Sequence, residues 1–483
     1  MKREIVLGVD SSTQSTKVIA VDIESGETLG IGRAPHTGEN IQHPDDWWVA
    51  LRQAVREVAE PSYVVLAIAV AAQQHGLVTI DDSGRPVRPA PLWNNSEAAE
   101  DARRLNDQAD FATLVGSRLV ASFTIAKLAH LARTEPADLD RTTSAGLPHD
   151  WLNFKLTGTL ATDRGDASGT GWWSPVQNRV MPELLALAVG DKAASRLQLP
   201  RVLGPDETAG HLTAEASEFL RLPIGIPVGA GTGDNMGAAL GAGATRGEIV
   251  VSLGTSGTAY GVSDSATTDR TGMVAGFADA TGKFMPLTCM LNCTRVVDVF
   301  AALFGVDAAH ALDVAGDVEP GADGLLLVPY FGGERTPNLP YSSGELLGMT
   351  YRNTAAAMMV RAAVDGVSSG LALCIEALAA AGIEAPGIVL VGGGSQHAAW
   401  QQAIADATGL PVEVRAGGEH VARGAAVQAA AAVREETVED LSRLWRPPVL
   451  AEIEPVPGLV DAFRLDYRKA LIEAREAPSD RMT

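Results

Sequence analysis

Twice along 483 residues an apolar strand runs into a turn of hydroxyl residues and returns as a second strand. The first instance is Glu4-Ile-Val-Leu-Gly-Val-Asp10, the turn Ser11-Ser-Thr-Gln-Ser-Thr16, and Lys17-Val-Ile-Ala-Val-Asp22. The second runs from Gly247 to Tyr260 around Gly254-Thr-Ser256. Such a hairpin at the start of each half implies two structurally related α/β domains, and 483 residues exceed what one core usually supports. The short, glycine-bearing connection Gly243 to Gly247 sets the expected boundary, with domains at 1–243 and 247–483.

The hairpin tips suit anions. Hydroxyls such as Ser12 and Thr13 and the backbone N–H groups of a tight turn can grip phosphate oxygens, Lys17 can meet a terminal phosphate, and Asp10 can hold magnesium. An ordinary polar turn is the alternative. Between the hairpins, Ile226 to Gly243 places one acid, Asp234, among glycines. Pro227 to Gly231 reads as a strand, Thr232-Gly-Asp-Asn235 as a turn and Met236 to Leu240 as the start of a helix. Glycines there let a bulky substrate reach the carboxylate, so Asp234 is either a catalytic base or a helix cap. As a base it would act with an ordinary carboxylate pKa, mostly ionised at neutral pH.

Several strand ends carry polar groups. Tyr63 to Ala71 is a buried strand that delivers Gln73-Gln-His75, and Gln74 and His75 are placed to hydrogen-bond a polyol. Trp93 offers an apolar face to sugar C–H groups, and Asn94 a donor and acceptor pair. Asp166, in Thr162 to Trp173, meets a sugar hydroxyl or caps a turn. Pro44 starts an amphipathic helix capped by Asp45 or Asp46, with Trp47 and Trp48 packing in the core. Ala355 to Ala380 reads as a long helix in which Arg361 and Asp365 oppose membrane insertion. Gly392-Gly-Gly-Ser395, between a strand and a helix, allows close approach of a planar or anionic ligand or simply makes a tight turn. The small-residue helices Met236 to Leu240 and Gly424 to Ala431 could pack together as a hinge pair.

Composition excludes some functions. A net charge of −21 argues against nucleic acid as a partner. No signal-peptide core and no membrane-spanning apolar run is evident, and three cysteines are too few for a disulfide framework, so a reducing cytoplasm is the expected location. Oligomeric state stays open, a homodimer included.

Val9-Asp-Ser-Ser-Thr-Gln-Ser-Thr-Lys17, Gln74-His-Gly76, Leu92-Trp-Asn94, Gly233-Asp-Asn235, Ser252 to Gly257, Gly333-Glu-Arg-Thr-Pro337 and Gly392-Gly-Gly394 occur in this order over nearly the whole chain. Together they resemble the FGGY carbohydrate kinases. The resemblance implies a two-domain fold of the actin, hexokinase and Hsp70 type (ribonuclease H-like), with five-stranded mixed sheets and the active site in the cleft between domains. It further implies ATP- and Mg2+-dependent phosphorylation of xylulose at the C5 hydroxyl, with sugar held mainly by the first domain. Asp234 matches the family's proton acceptor, and Asp10 an acid at the metal and phosphate site. Gln74 and His75 match the sugar contact, beside Trp93, Asn94, Asp166 and Asn235. Ser12, Thr13, Lys17, Gly254, Thr255 and Ser256 fall at the phosphate hairpins, and Gly393, Gly394 and Ser395 at the adenosine loop. The chain departs from the pattern at Asn95, at Glu97 and at Ser395-Gln396-His397. Gluconate or ribulose kinases of the same family, a sugar-sensing regulator, and filament or chaperone proteins of this fold are the alternatives. A regulator would need a basic DNA-binding extension before the first strand.

Overall fold

The computed structural model describes residues 2–473. In the first part of the chain the elements used below are β1 (Arg3–Ser11), β2 (Ser15–Asp22), β3 (Thr28–Pro35), α1 (Pro44–Val58), β4 (Tyr63–Ala72), α2 (Pro148–Thr157) and α3 (Arg164–Ser168). They are followed by β5 (Thr208–His211), β6 (Pro227–Gly229), β7 (Thr232–Gly233), α4 (Asp234–Gly241), β8 (Ile249–Leu253), β9 (Gly257–Gly261) and β10 (Phe284–Met290). The last are α5 (Ala356–Ala380), β11 (Ile388–Val391), α6 (Ala398–Thr408), β12 (Val412–Arg415), α7 (His420–Ala431) and β13 (Val449–Ile453).

Two compact units form. Among the described residues the first holds 2–243, 264–285 and 419–447, and the second 244–263, 286–418 and 448–473. The division shares the boundary at Gly243 with the sequence reading, but two later stretches, 264–285 and 419–447, pack with the first unit. The second of these carries α7, whose residues lie against β1 and α4. A Cβ on Gly8 would overlap the Ala422 carbonyl, and one on Gly424 would overlap the Gly237 carbonyl. Backbones that close leave no room for side chains, so small residues at both helices are what permits the pairing.

In the first unit a seven-stranded mixed sheet runs β5-β6-β4-β1-β2-β3, with β7 also pairing with β4. The second unit has β10-β9-β8-β11-β12-β13, again mixed. Both exceed the five strands expected, because short edge strands such as β5 extend them. Both hairpins are present: β1 pairs antiparallel with β2, and β8 with β9.

The core of the first unit follows from side-chain alternation. Ile5, Leu7 and Val9 cluster with Trp47, Leu51, Ile68 and Trp151, while Gly8, on the opposite face of β1, meets α7. Helix α1 begins at Pro44, but its cap is His43, whose ring accepts from Asp45 N at 3.3 Å, so Asp45 and Asp46 lie in the first turn instead. Their charge still favours the helix N-terminus. Helix α5 is the one described single helix long and apolar enough to cross a membrane, but it is mostly buried in its own unit. Its Arg361 and Asp365 form a buried ion pair at 2.8 Å.

Candidate active site

Three neighbouring strands of the first unit end side by side. Register pairs Asp10 with Ala71 and Ser11 with Ala72 on one side of β4, and Thr232 with Ala71 and Gly233 with Ala72 on the other. The chain leaving these parallel strands therefore puts Asp10, Gln74-His75 and Asp234-Asn235 together at their carboxyl ends, where ligands bind in α/β sheets.

Asp234 is the first residue of α4, and the cap position belongs to Gly233. Its Oδ1 accepts from Asn235 N at 2.8 Å and from Asn235 Nδ2 at 3.0 Å. Asn235 Nδ2 also donates to Gln74 Oε1 at 3.0 Å, so the amide pair holds the carboxylate and leaves Gln74 Nε2 buried without a hydrogen-bond partner. Burial first, and then the negative charge of Asp10, raise the Asp234 pKa from 3.8 to about 7. The expected ordinary pKa is thus wrong. Removal from water penalises the anion, and a second carboxylate adds repulsion.

Asp10 is buried and itself pushed upward, mainly by desolvation. Ser12 Oγ donates to it, and Lys17 Nζ lies 3.6 Å away. Lys17 is not held out toward a terminal phosphate as expected, because its ammonium sits 2.5 Å from Glu419 and so neutralises two acids. Thr13 Oγ1 donates to Gln73 Oε1 at 3.1 Å and accepts from Trp93 Nε1 at 2.9 Å, which ties the hairpin tip to the aromatic wall. Asn94 does not join the group: it is exposed, and its amide donates to Glu39 O at 3.1 Å.

His75 adopts a left-handed backbone, φ 65°, rare for a residue with a Cβ. Thr124 Oγ1 and Lys127 Nζ each donate to its carbonyl at 3.2 Å, and its Nδ1 lies 2.9 Å from Gly169 O. The ring packs against Phe123 and Phe277. Asp166 lies in α3, fully buried, with neither oxygen hydrogen-bonded. The cap of α3 is Asp163, which accepts from Gly165 N and Asp166 N at 2.9 Å each. The turn-cap alternative for Asp166 therefore falls to its neighbour. Burial, followed by Asp150, Asp163 and Asp234, raises the Asp166 pKa well above its usual value, with Gln74 acting the other way.

The second unit carries its own concavity. Leu253, Gly254, Thr255, Thr294, Gly393, Gly394 and Trp400 line a cavity of about 310 Å³, at the lower end of the size of small-molecule sites. It lies between the β8–β9 turn and the loop after β11. Thr294 supports that turn, its N and Oγ1 donating to Gly254 O at 3.0 and 2.8 Å. Ser256 is half-buried and its carbonyl accepts from Gly254 N at 3.1 Å. Ser395 does not face the cavity. It is buried and donates to Gly392 O at 2.8 Å, so it shapes the loop.

Sequence reasoning missed Thr294, Lys127, Asp163 and His149. The spacing Asp163-x-x-Asp166 before a helix is a readable cap signal. Nothing in the sequence marks His149, on the first turn of α2, as buried against Asp166. A divalent cation suits the first unit's donors, since Asp10 and Ser12 offer oxygen atoms and Asp10's field already burdens Asp234.

Two mixed-sheet α/β units, a buried carboxylate at a helix start beside the Gln74 and Asn235 amides, and a glycine-lined cavity are features that a small-molecule kinase requires. The chain belongs to the FGGY family of carbohydrate kinases: its N-terminal domain description matches residues 5–241 and its C-terminal one residues 249–433. A xylulose kinase of Streptomyces coelicolor is 44% identical over 463 residues, 93% of each chain. One from Streptomyces rubiginosus is 43% identical over the same shares. The crystal structure of xylulose kinase from Bifidobacterium adolescentis superposes with TM-score 0.83 at 35% identity, covering 97% of this chain and 99% of the other.

Proposed function

We propose that this chain transfers the γ-phosphoryl group of ATP to the C5 hydroxyl of D-xylulose, giving D-xylulose 5-phosphate and ADP. The observation that carries this reading is the convergence of Asp234, Asp10 and Gln74 at three adjacent strand ends. The xylulose kinases among the relatives support the choice of sugar.

Asp234 accepts the proton of the attacking hydroxyl as the bond to phosphorus forms. Gln74 Nε2 and the Asp166 carboxylate offer a donor and an acceptor to the remaining hydroxyls, His75 a further contact, and Trp93 an apolar wall. Asn235 fixes both Gln74 and Asp234. Ser12, Thr13, Gly254, Thr255 and Ser256 offer hydroxyl and backbone N–H groups to phosphate oxygens. Gly393 and Gly394 border the cavity that takes the adenosine. Residues 1–243 thus serve the sugar and supply the first phosphate hairpin, and 247–483 serve the nucleotide, apart from 264–285 and 419–447, which pack with the first unit. Magnesium, held at Asp10, would offset the negative charge of the phosphates. Lys17 keeps Asp10 in place. The cytoplasm is the proposed location.

Comparing kcat/KM for xylulose, ribulose, gluconate and glycerol in an ADP-release assay tests the reading. Xylulose should lead by about tenfold or more, the discrimination a site built around specific hydroxyls commonly reaches. A higher value for any of the other three would reassign the substrate. His75→Ala should raise the xylulose KM by about tenfold, equivalent to one lost buried hydrogen bond, with the ATP KM unchanged. An unaltered sugar KM would remove His75 from the pocket.

A further inference from the structure

The stretch Gly333-Glu-Arg-Thr-Pro337 has no part in the chemistry above, yet it carries a buried acid, Glu334, 1% exposed. The backbone of Glu334 is fixed in a tight turn, its N and O each exchanging a 2.9 Å hydrogen bond with Leu339, so the side chain projects from a firm base. Among the described residues its carboxylate has only uncharged N–H groups as hydrogen-bond partners. Oε1 accepts from Leu291 N and Arg335 N at 2.7 Å each. Oε2 accepts from Asn292 Nδ2 at 3.0 Å and, more weakly, from Asn292 N at 3.4 Å. Asn292 Nδ2 also donates to Gly333 O at 2.8 Å, which closes the clasp from the other side. Burial raises the Glu334 pKa from 4.5 to about 7 against the pull of these donors, which favour the anion.

The clasp holds the chain that leaves β10. The ladder between β9 and β10 ends at the pair Gly257 and Met290, so Leu291 to Thr294 lie beyond it. Their N–H groups divide. Leu291 and Asn292 turn to Glu334, while Cys293 N donates to Thr255 O at 3.2 Å and Thr294 N to Gly254 O at 3.0 Å, with Thr294 Oγ1 adding a bond at 2.8 Å. Four consecutive residues thus link Glu334 to the β8–β9 turn, and Gly254, Thr255 and Thr294 line the cavity of this unit. A trans peptide points its N–H opposite to its C=O. With the carbonyls of Gly254 and Thr255 both drawn toward 293–294, the N–H groups of Thr255 and Ser256 turn the other way, and neither has a protein partner among the described residues. Two successive N–H groups so aimed make an anion-binding concavity.

We propose that Glu334 is a positioning residue for the nucleotide's phosphates: by fixing Leu291 and Asn292 it holds Cys293 and Thr294 against the carbonyls of Gly254 and Thr255, and so aims the N–H groups of Thr255 and Ser256 at phosphate oxygens. This rests on the sugar-kinase reading above. A carboxylate suits the place because it has two acceptor oxygens and no proton to offer. Glu334→Gln keeps the shape but puts an NH2 where one oxygen stood, so two of the four N–H donors face another donor whichever way the amide lies. The clasp then opens on one side, and the turn loses its support from behind.

The test uses the full chain at pH 8, where a carboxyl with a pKa of about 7 is ionised, and combines hydrogen exchange read by mass spectrometry without ligand with the two Michaelis constants. In Glu334→Gln, peptides covering 251–258 should exchange about tenfold faster than in the wild type, while those covering 9–17, at the other hairpin, exchange as before. The ATP KM should rise about tenfold and the xylulose KM stay within about twofold. Asn292→Ala removes the side-chain bonds to Gly333 O and Glu334 Oε2 and should move exchange at 251–258 and the ATP KM the same way by about threefold, which decides the matter if Glu334→Gln fails to fold. A lower melting temperature with wild-type exchange at 251–258 and a wild-type ATP KM would make the clasp structural only and overturn the proposal, as would equal rises in both Michaelis constants. Failure of the underlying reading is distinguishable, because it appears as wild-type enzyme that does not phosphorylate xylulose from ATP, whereas the exchange at 251–258 needs no substrate.

Discussion

Replacing Asp234 with Asn lowers turnover on xylulose by about 10² to 10⁴, the usual contribution of a positioned general base, while the sugar KM changes little. Asn keeps the size and removes the basic oxygen. Because Gly233 holds the cap position and the Asp234 carboxylate bonds the Asn235 backbone and amide, which Asn can also do, the substitution costs the helix little, and the melting temperature should stay near that of the wild type. A variant with wild-type turnover would mean another group takes the proton. The raised pKa adds a signature. With its carboxyl at about 7 rather than 3.8, Asp234 is largely protonated at pH 5 and ionised at pH 8. A base works only when ionised, so kcat/KM should climb with pH through about 7 and then level. A profile flat from pH 5 to 8 would mean that Asp234 titrates as an ordinary exposed acid.

Gly424→Val has the second large effect, and it acts on the fold. Helix α7 comes so close to α4 that a Cβ at Gly424 meets the carbonyl oxygen and backbone of Gly237, and a Cβ at Gly241 meets His420 O. Neither obstacle is a side chain that can swing aside. Overpacking a site with no room costs typically 1–3 kcal/mol and occasionally more, and here about 3 kcal/mol or more is expected. Urea unfolding should show the loss as a lower midpoint, with reduced activity because α4 carries Asp234 at its start. An unchanged midpoint would show that the two helices can part without penalty.

The same pair of helices shows what the sequence reveals and what it hides. Runs such as Gly237-Ala-Ala-Leu-Gly241 and Gly424-Ala-Ala-Val-Gln428 announce close packing by composition alone. Both hairpins, the buried strand Tyr63–Ala72 and the long helix Ala356–Ala380 are equally legible, because apolar runs bounded by turns set them locally. The return of 419–447 to the first unit is not, since nothing local says which sheet α7 will cover. The site divides in the same way. Asp234, Asp10 and Gln74 lie at ends of strands that the pattern already defines. Lys17 and Ser395 were misplaced because their side chains choose between a ligand and a protein partner, Glu419 and Gly392 O, that only the fold brings near. His149 and Asp163 were missed for the same reason: their neighbours are distant in sequence. The raised pKa of Asp234 needs both its burial and the position of Asp10, two strands away across β4.

Phosphorus NMR of the reaction of ATP with xylulose labelled with 13C at C5 tests the central claim most directly. Transfer to that hydroxyl predicts a new phosphate-ester resonance split by the labelled carbon, appearing in step with ADP and absent when the sugar is omitted. A product resonance without that splitting, or inorganic phosphate as the sole product of ATP consumption, would contradict it.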